Sequence, residues 1–248
     1  MLRCFLILLL ALGSTAWAQG ADAPQPAGAE LARTFPYSMT GKLIFAQGSE
    51  WFQGSGTLIR PAAVLTAAHN LWDPDRGFST DLIFRRGLYG ERSAGDATPS
   101  RVYVLAGYRD KARKYTGNDA RSFVQDLGAL LFPSPVAGGA SSGWWANSSL
   151  LSGERPMIAL GYGAQFHDGT ELLSVEPKGG FQQIMDAFYD THSAFFEGGM
   201  SGGPIFVRDQ NGALLVAAVV VAGTNEQNGG GVRLLDATAA AFIRAYVK

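Results

Sequence analysis

One serine of this sequence stands among four glycines close to the C-terminal end. Ser201 lies in the stretch EGGMSGGP, with Gly198 and Gly199 before it and Gly202 and Gly203 after it. Glycine loses more backbone entropy on folding than any other residue, so a glycine cluster belongs where the backbone turns sharply or approaches another group closely. A serine hydroxyl becomes a good nucleophile only when a neighbouring base removes its proton. Ser201 is therefore a candidate nucleophile, and an ordinary turn residue is the alternative.

The base that activates a serine is usually histidine, whose pKa lies near the working pH of most enzymes. The sequence contains three histidines, His69, His167 and His192. His69 ends the stretch VLTAAH, where an apolar run typical of a β-strand closes in small residues. His167 in QFHDG and His192 in YDTHS occupy polar, loop-like sequence, and we expect both to face solvent. His69 is the candidate base.

A third group must hold the imidazole in the correct tautomer and stabilise its cation. Asp126 fits this role best, because VQDLGALLF places its carboxylate at the mouth of an apolar strand. Burying a carboxylate is unfavourable unless a partner satisfies it. From the residues alone, a turn-capping role for Asp126 stays open, and Asp119 in TGNDA is a competitor without an apolar strand behind it.

The first residues predict export. A basic residue precedes an unbroken apolar run at residues 5–12, and Ala16 and Ala18 form an A-x-A site that predicts cleavage before Gln19. Residues 1–18 therefore have the pattern of a secretory signal peptide. Crossing a bilayer takes about 20 apolar residues, so we expect no membrane span once the signal is removed. The mature protein is expected to be secreted or periplasmic.

Composition excludes several function classes. Cys4, the only cysteine, lies in the signal region, so the mature chain has neither a cysteine nucleophile nor a cysteine metal site. Lys and Arg number 20 against 21 Asp and Glu, which does not resemble the basic footprint of a nucleic-acid-binding protein. The basic residues 109–114 are interpreted as a solvated loop, and the aspartates of WDPDRG, residues 72–77, as a turn rather than a calcium site. We expect no metal and no cofactor.

The chain divides into a short leader and one larger unit. Residues 19–33 are rich in Ala, Pro and Gly, which predicts a flexible leader or a short propeptide. Residues 34–248 are expected to form one unit whose halves join near residues 137–149. Nine segments of this unit are short, β-branched or aromatic and bounded by turn residues, which predicts strands at 42–46, 56–60, 63–67, 101–107, 127–132, 156–163, 203–207, 213–223 and 231–235.

One helix is predicted at the C-terminal end. Asp236 can cap it, and Ala239, Phe242, Ile243 and Tyr246 recur at helical spacing. The predicted fold class is therefore all-β with a C-terminal α-helix.

Three stretches of the sequence, taken together, resemble a known family. GSGTLIRPAAVLTAAHN, DLGALL and GGMSGGPIF occur in the order and approximate spacing of chymotrypsin-like (trypsin-fold) serine proteases. The resemblance covers roughly residues 38–248. A mature chain without cysteine, with NEQNGGGV near its end, resembles the bacterial branch that includes the glutamyl endopeptidases.

The resemblance implies two six-stranded antiparallel β-barrels with the active site in the cleft between them. It makes His69 the general base and later the acid, Asp126 its orienting partner, and Ser201 the nucleophile that forms an acyl-enzyme with protein or peptide substrates. The backbone N–H groups of Gly199 and Ser201 would form the oxyanion hole.

The resemblance also implies a pocket for the substrate side chain before the scissile bond. Its candidate lining residues are Phe195, Phe196, Val220, Val221, Ala222 and Gly223. Glutamyl endopeptidases carry a histidine at the position of Val220, and trypsin carries an aspartate at the position of Phe195. Because this chain has no charge at either position and a buried unpaired charge is unfavourable, we expect a preference for apolar or small side chains.

One position departs from the pancreatic members of the family. Their aspartate immediately before the nucleophile pairs with a newly cleaved N-terminal amine, but Met200 occupies that position here and cannot accept the charge. We therefore expect activation, if any, without that ion pair. The alternative function is a catalytically inactive, protease-like exported binding module, because a fold alone does not establish activity.

Overall fold

The computed structural model describes residues 21–115, 119–152, 155–165, 167–223 and 229–247. Most of the regular structure is β-strand. The strands, in chain order, are β1 (Gln25–Pro26), β2 (Thr40–Gln47), β3 (Glu50–Arg60), β4 (Ala63–Thr66), β5 (Trp72–Asp73), β6 (Gly77–Phe78), β7 (Thr80–Arg86), β8 (Gly95–Ala97), β9 (Arg101–Val104), β10 (Gly128–Leu131), β11 (Gly143–Trp144), β12 (Met157–Gly161), β13 (Leu173–Val175), β14 (Gln182–Met185), β15 (Phe188–Thr191), β16 (Pro204–Arg208), β17 (Leu214–Gly223) and β18 (Gly230–Leu234). The α-helices are α1 (Gly28–Leu31), α2 (Tyr108–Lys114), α3 (Ala120–Phe123) and α4 (Ala237–Tyr246).

Two sheets divide the described chain into an N-terminal and a C-terminal body. The first has seven strands in the order β8-β7-β2-β3-β4-β10-β9. The second has nine, in the order β1-β13-β12-β16-β17-β18-β15-β14, with β11 running parallel beside β17. The predicted all-β fold of two β bodies and a C-terminal helix is confirmed. The sheets exceed six strands because short strands such as β1, β8 and β11 add to them.

Three apolar clusters fill the two sheets and the space between them. One lies within the first sheet and includes Leu43 and Phe84, and another lies within the second sheet and includes Ile205. The third contains Leu65 from β4 and Phe206 from β16, so it joins the two sheets. Packing between the sheets therefore fixes the relative position of the loop that follows β4 and the loop that precedes β16.

Helix α4 packs against this joining cluster. The Asp236 side chain accepts a hydrogen bond from the Ala239 backbone N–H over 2.8 Å and so caps the helix as predicted. Phe242 and Ile243 are buried in the joining cluster. The ring of Tyr246 stacks on a tyrosine of β9 with the ring centroids 4.7 Å apart.

The described part of the predicted leader lies against the second sheet. The Asp22 backbone N–H donates to Ser193 O over 2.9 Å, and Asp22 O accepts from Phe195 N over 3.0 Å. The Asp22 carboxylate also pairs with Lys178, with 2.5 Å between their atoms. These contacts lie in the segment that is predicted to be a flexible leader, and its flexibility stays a prediction. Its removal as a short propeptide stays a prediction, and the predicted signal peptide lies outside the described residues.

The segment at residues 137–149 contacts both sheets. The Ser142 N–H donates to Leu58 O of β3 over 2.8 Å, and the Trp145 N–H donates to Val216 O of β17 over 3.0 Å. These contacts support our proposal that the two halves of the unit join here.

Candidate active site

His69 lies on a short 3₁₀ turn, Ala68–Asn70, that follows strand β4. Its backbone N–H donates to Asp126 Oδ1 over 2.9 Å, and its ring Nδ1 lies 2.6 Å from Asp126 Oδ2. One carboxylate thus holds both the main chain and the ring of the histidine. Asp126 is 1% exposed, so its burial is compensated by this partner. The structure brings the candidate base and its candidate orienting partner together.

Strand pairing explains why residues distant in sequence meet here. Asp126 precedes β10, which pairs with β4 in a register that places Gly128 opposite Thr66. His69 and Asp126 therefore leave neighbouring strands at the same end. A Cβ atom at position 128 would lie only 2.5 Å from the Leu71 side chain, so a glycine is needed for this close approach.

The electrostatics of the pair favour a protonatable ring. Burial by itself lowers the pKa of His69, but the attraction of the Asp126 carboxylate and their hydrogen bond outweigh it and raise the pKa above its ordinary value. With Nδ1–H donating to the carboxylate, the lone pair of Nε2 is available to accept a proton. The pair can therefore act as a general base whose cation is stabilised.

Two further titratable groups surround Asp126. Burial, together with the nearby Asp126 charge, raises the pKa of Tyr108 and keeps its hydroxyl neutral. The Arg233 guanidinium, 1% exposed, donates from Nε to Val124 O over 3.3 Å and from Nη1 to Asp236 over 3.0 Å. Burial lowers the pKa of Arg233, and the negative charges of Asp236 and Asp126 oppose that effect.

Ser201 lies in the loop before β16 and is tied to the segment that carries His69. Its backbone carbonyl accepts from Ser55 N over 2.7 Å and from Asn70 Nδ2 over 3.0 Å. Among the described residues, the Ser201 hydroxyl makes no hydrogen bond to the His69 ring. Catalytic hydrogen bonds are often long in an unliganded site and tighten when substrate binds. The structure thus brings the loop of Ser201 to the His69 segment without closing their side-chain contact.

Two backbone amides at Ser201 have no acceptor among the described residues. Within the described chain, neither the Gly199 N–H nor the Ser201 N–H donates a hydrogen bond. Gly199 has φ +98°, and a Cβ atom there would lie 2.5 Å from Tyr162 O. Only glycine suits both the backbone angle and this contact. The arrangement could serve as an oxyanion hole.

The candidate pocket residues come from two neighbouring segments. Phe195 and Phe196 are buried. A Cβ atom at position 223 would lie only 2.1 Å from Phe196 O, so the two segments approach closely here. The Val220 main chain exchanges hydrogen bonds with Gly202 and Gly203, each over 2.8 Å. Val221 is buried as well, whereas Ala222 is half-buried and Gly223 is exposed. The structure brings these positions together beside the serine loop; their role in specificity stays a prediction.

Two buried polar residues that the sequence patterns did not reveal organise the site. The Ser55 hydroxyl donates to Gly199 O and accepts from Tyr162 N, each over 2.8 Å. The Asn70 side chain joins Ser201 O to Thr66 Oγ1. Ser55 lies in GSGTL and Asn70 follows His69, so polar residues at the ends of apolar strands were the available signal.

The expectations for His167, Asp119 and Asp73 have different outcomes. His167 is only partly solvent-exposed, because its ring Nδ1 lies 2.5 Å from Glu197 Oε1. Asp119 caps helix α3 and pairs with Arg121, and the carboxylate that pairs with His69 is that of Asp126. Asp73 accepts from the backbone of Asp75 and Arg76 and so forms a turn.

The described residues contain no group of three or more His, Cys, Asp or Glu side chains placed to hold a metal ion. None of the helices in the described ranges has the length and apolarity to cross a membrane.

Two packed β-sheets that carry a histidine–aspartate pair on one and a glycine-flanked serine on the other define the chymotrypsin-like class of fold. Residues 54–217 match the family model described as a trypsin-like peptidase domain. The chain belongs to this family of serine peptidases. No curated protein sequence matches it.

Solved structures show the same fold. A Glu endopeptidase in complex with MPD has 21% sequence identity and a TM-score of 0.69, and the match covers 92% of this chain and 99% of that one. The protease Anisep from Arthrobacter nicotinovorans has 19% identity and a TM-score of 0.66, over 84% and 94% of the two chains. HL collagenase has 13% identity and a TM-score of 0.68, over 93% and 98%. The expected fold similarity to a glutamyl endopeptidase is confirmed.

Proposed function

We propose that this protein is an exported serine endopeptidase that hydrolyses protein or peptide substrates through an acyl-enzyme. The observation that carries the proposal is the His69–Asp126 pair, with its carboxylate buried and its imidazole partly exposed, beside the glycine-flanked loop of Ser201. Membership of a peptidase family supports the reaction class. Export rests on the signal-like pattern of residues 1–18 alone.

The site residues support a two-stage mechanism. Ser201 Oγ attacks the scissile carbonyl carbon while His69 Nε2 takes the hydroxyl proton, and the Asp126 carboxylate stabilises the imidazolium. The Gly199 and Ser201 N–H groups donate to the oxygen that becomes negative. His69 then gives its proton to the leaving amine as the C–N bond breaks. In the second stage His69 deprotonates water, which cleaves the acyl ester and restores the Ser201 hydroxyl.

Casein hydrolysis tests the proposal directly. Purified mature protein should degrade casein to internal fragments, and pretreatment with a serine-directed organophosphonate should abolish the activity because it occupies Ser201. The measurement is fragment mass by mass spectrometry, since internal cuts distinguish an endopeptidase from an exopeptidase. A folded protein that binds casein without cleaving it or reacting with the inhibitor would instead be the protease-like binding module.

Peptide-library profiling tests the predicted selectivity. With Phe195 and Val220 at the positions where relatives carry a charge, cleavage after apolar or small residues should exceed cleavage after Glu, Lys or Arg by at least ~10-fold in kcat/KM, because a charged side chain would be buried unpaired. Profiles should be taken with residues flanking the cut fully randomised. Dominant cleavage after any of the three charged residues would contradict the assignment of the pocket but not of the nucleophile.

A further inference from the structure

Glu197 is a buried carboxylate four residues before Ser201, and the mechanism above does not use it. Its side chain has no exposed surface. A Cβ atom at position 163 would lie 2.2 Å from Glu197 Cδ, so Gly163 leaves the space that the carboxylate fills. A buried charge of this kind is strongly unfavourable unless it is paired and hydrogen-bonded.

Three contacts of this carboxylate come from one loop. Glu197 Oε2 accepts from the backbone N–H of Gln165 over 3.0 Å and from that of His167 over 3.3 Å. Glu197 Oε1 lies 2.5 Å from His167 Nδ1. Both oxygens are therefore held by Gln165 and His167, and we call these two residues together with Ala164 the clamp loop.

The same loop holds the next residue along the chain. Gly198 O accepts from Ala164 N over 2.7 Å, and Gly198 N donates to the Gln165 side-chain oxygen over 3.2 Å. In a planar trans peptide the carbonyl oxygen and the following N–H point in opposite directions. With Gly198 O directed at Ala164, the Gly199 N–H points away from this loop. Rotating the Gly198–Gly199 peptide would instead direct a carbonyl toward the developing oxyanion.

The residue before the nucleophile provides no such anchor. Met200 is fully buried and uncharged, so it cannot take part in the amine–aspartate pair expected in pancreatic relatives. Met200 N donates to Glu197 O over 3.0 Å, so the main chain before Ser201 folds back onto Glu197. Glu197 is the residue of this turn that carries an ionisable side chain.

We propose that Glu197 is a positioning residue: held by His167 and the clamp loop, it fixes the Gly198–Gly199 peptide so that the Gly199 N–H faces the oxyanion hole. The role rests on the proposed hydrolytic function. In the pancreatic relatives an N-terminal amine anchors the loop before the nucleophile. In this protein Glu197, His167 and the clamp loop would anchor it instead.

Replacing Glu197 tests the proposal. Glu197→Ala should lower kcat by about 100-fold, which is the effect of losing one oxyanion donor, and should change KM by less than about 3-fold. A peptide aldehyde, whose adduct carries an oxyanion, should bind more weakly by a similar factor. Glu197→Gln keeps an oxygen for the two backbone donors but loses the charge, so it should retain more of kcat than Glu197→Ala. The matched control is Glu91→Ala, at an exposed glutamate, which should behave as the unmodified protein.

The outcomes separate this role from plain stability and from failure of the proposed function. Thermal melting gives the folded fraction, and kcat per folded molecule within about 3-fold of the control for Glu197→Ala would overturn the proposal. If Glu197→Ala does not fold, Glu197→Gln decides, with an unchanged kcat and aldehyde affinity counting against it. If the unmodified protein proves inactive, crystal structures of both proteins still decide. A Gly198 carbonyl that stays on Ala164 N without the Glu197 carboxylate refutes the role.

Discussion

Ser201→Ala is expected to lower kcat by about 10⁵- to 10⁶-fold, the scale on which serine peptidases depend on their nucleophile. Removing the hydroxyl removes the atom that bonds to the substrate, whereas the backbone amides of the loop remain. Some catalysis above the uncatalysed rate should persist from those amides and from binding. The measurement is kcat and KM on a peptide chosen from the library profile.

The fold should survive this substitution. The Ser201 contacts with Ser55 and Asn70 use its backbone carbonyl, which alanine keeps. The melting temperature should stay close to that of the unmodified protein. Ser100→Ala, at an exposed serine, is the matched control and should retain full activity and full labelling by an organophosphonate. A Ser201→Ala protein that still takes up the label would show that the nucleophile lies elsewhere.

Sequence patterns predicted the strands whose own residues have β-branched or aromatic character and clear turn residues at their ends. All nine predicted segments overlap observed strands, from Thr40–Gln47 to Gly230–Leu234, because each joins β-branched or aromatic residues to clear turn residues. Nine other described strands were missed, among them β7, β14 and β15. All four residues of β14 are exposed, and β15 contains Asp190, so neither has the apolar pattern of a buried strand. Pairing forms these strands instead, because β15 pairs with β18 and β14 pairs with β15.

The basic residues 109–114 were wrongly interpreted as a solvated loop. They form most of helix α2, because Tyr108 and Ala112, one turn apart, are both buried. The guanidinium groups of Arg109 and Arg113 lie 5.9 and 5.2 Å from the Trp72 ring. Charged heads on apolar stems can thus cover an aromatic ring while remaining wet. The run of charged residues did not reveal that Tyr108 and Ala112 form the buried face of a helix.

The candidate site divides in the same way. His69 and Asp126 could be selected because each ends or begins an apolar strand, and the strands then pair. Glu197 and His167 could not be paired from sequence, since 30 residues separate them and both stand in polar or glycine-rich stretches. Their contact depends on how the clamp loop folds over the serine loop, which no local pattern encodes.

A chain with a single cysteine forms no internal disulfide, so its candidate catalytic loops must be held by other means. Buried side-chain hydrogen bonds from Ser55 and Asn70 connect β3, the His69 turn and the Ser201 loop. Gly54 makes room for this network, because a Cβ atom there would lie 2.5 Å from Asn70 Nδ2. Such networks are rigid when every member is satisfied. Hydrogen bonds at the junction of the two sheets thus join the segments on which the proposed mechanism depends.

Asp126→Asn should lower kcat by about 10⁴-fold while leaving the fold intact, as substitution at an equivalent aspartate does in a related protease. The amide group introduced by this substitution keeps an oxygen for the His69 backbone N–H but presents an NH₂ to Nδ1. The ring must then accept at Nδ1 and carry its proton on Nε2, so it cannot take the proton of Ser201. Asp119→Asn is the matched control, because Asp119 caps helix α3 and should matter little for kcat.

The pH profile gives the Asp126 prediction a second readout. Neutral His69 is the active base, so the rate falls as pH drops through its pKa, and Asp126 raises that pKa. Removing the carboxylate leaves only burial, which lowers the pKa, so the acid limb of kcat/KM should move to lower pH in the residual activity of Asp126→Asn. An acid limb that stays in place, or moves upward, would mean that the titrating group is not His69 held by this carboxylate. Full activity in Asp126→Asn would show that the Asp126 carboxylate has no part in the mechanism. Its hydrogen bonds to His69 would then serve only the stability of the fold.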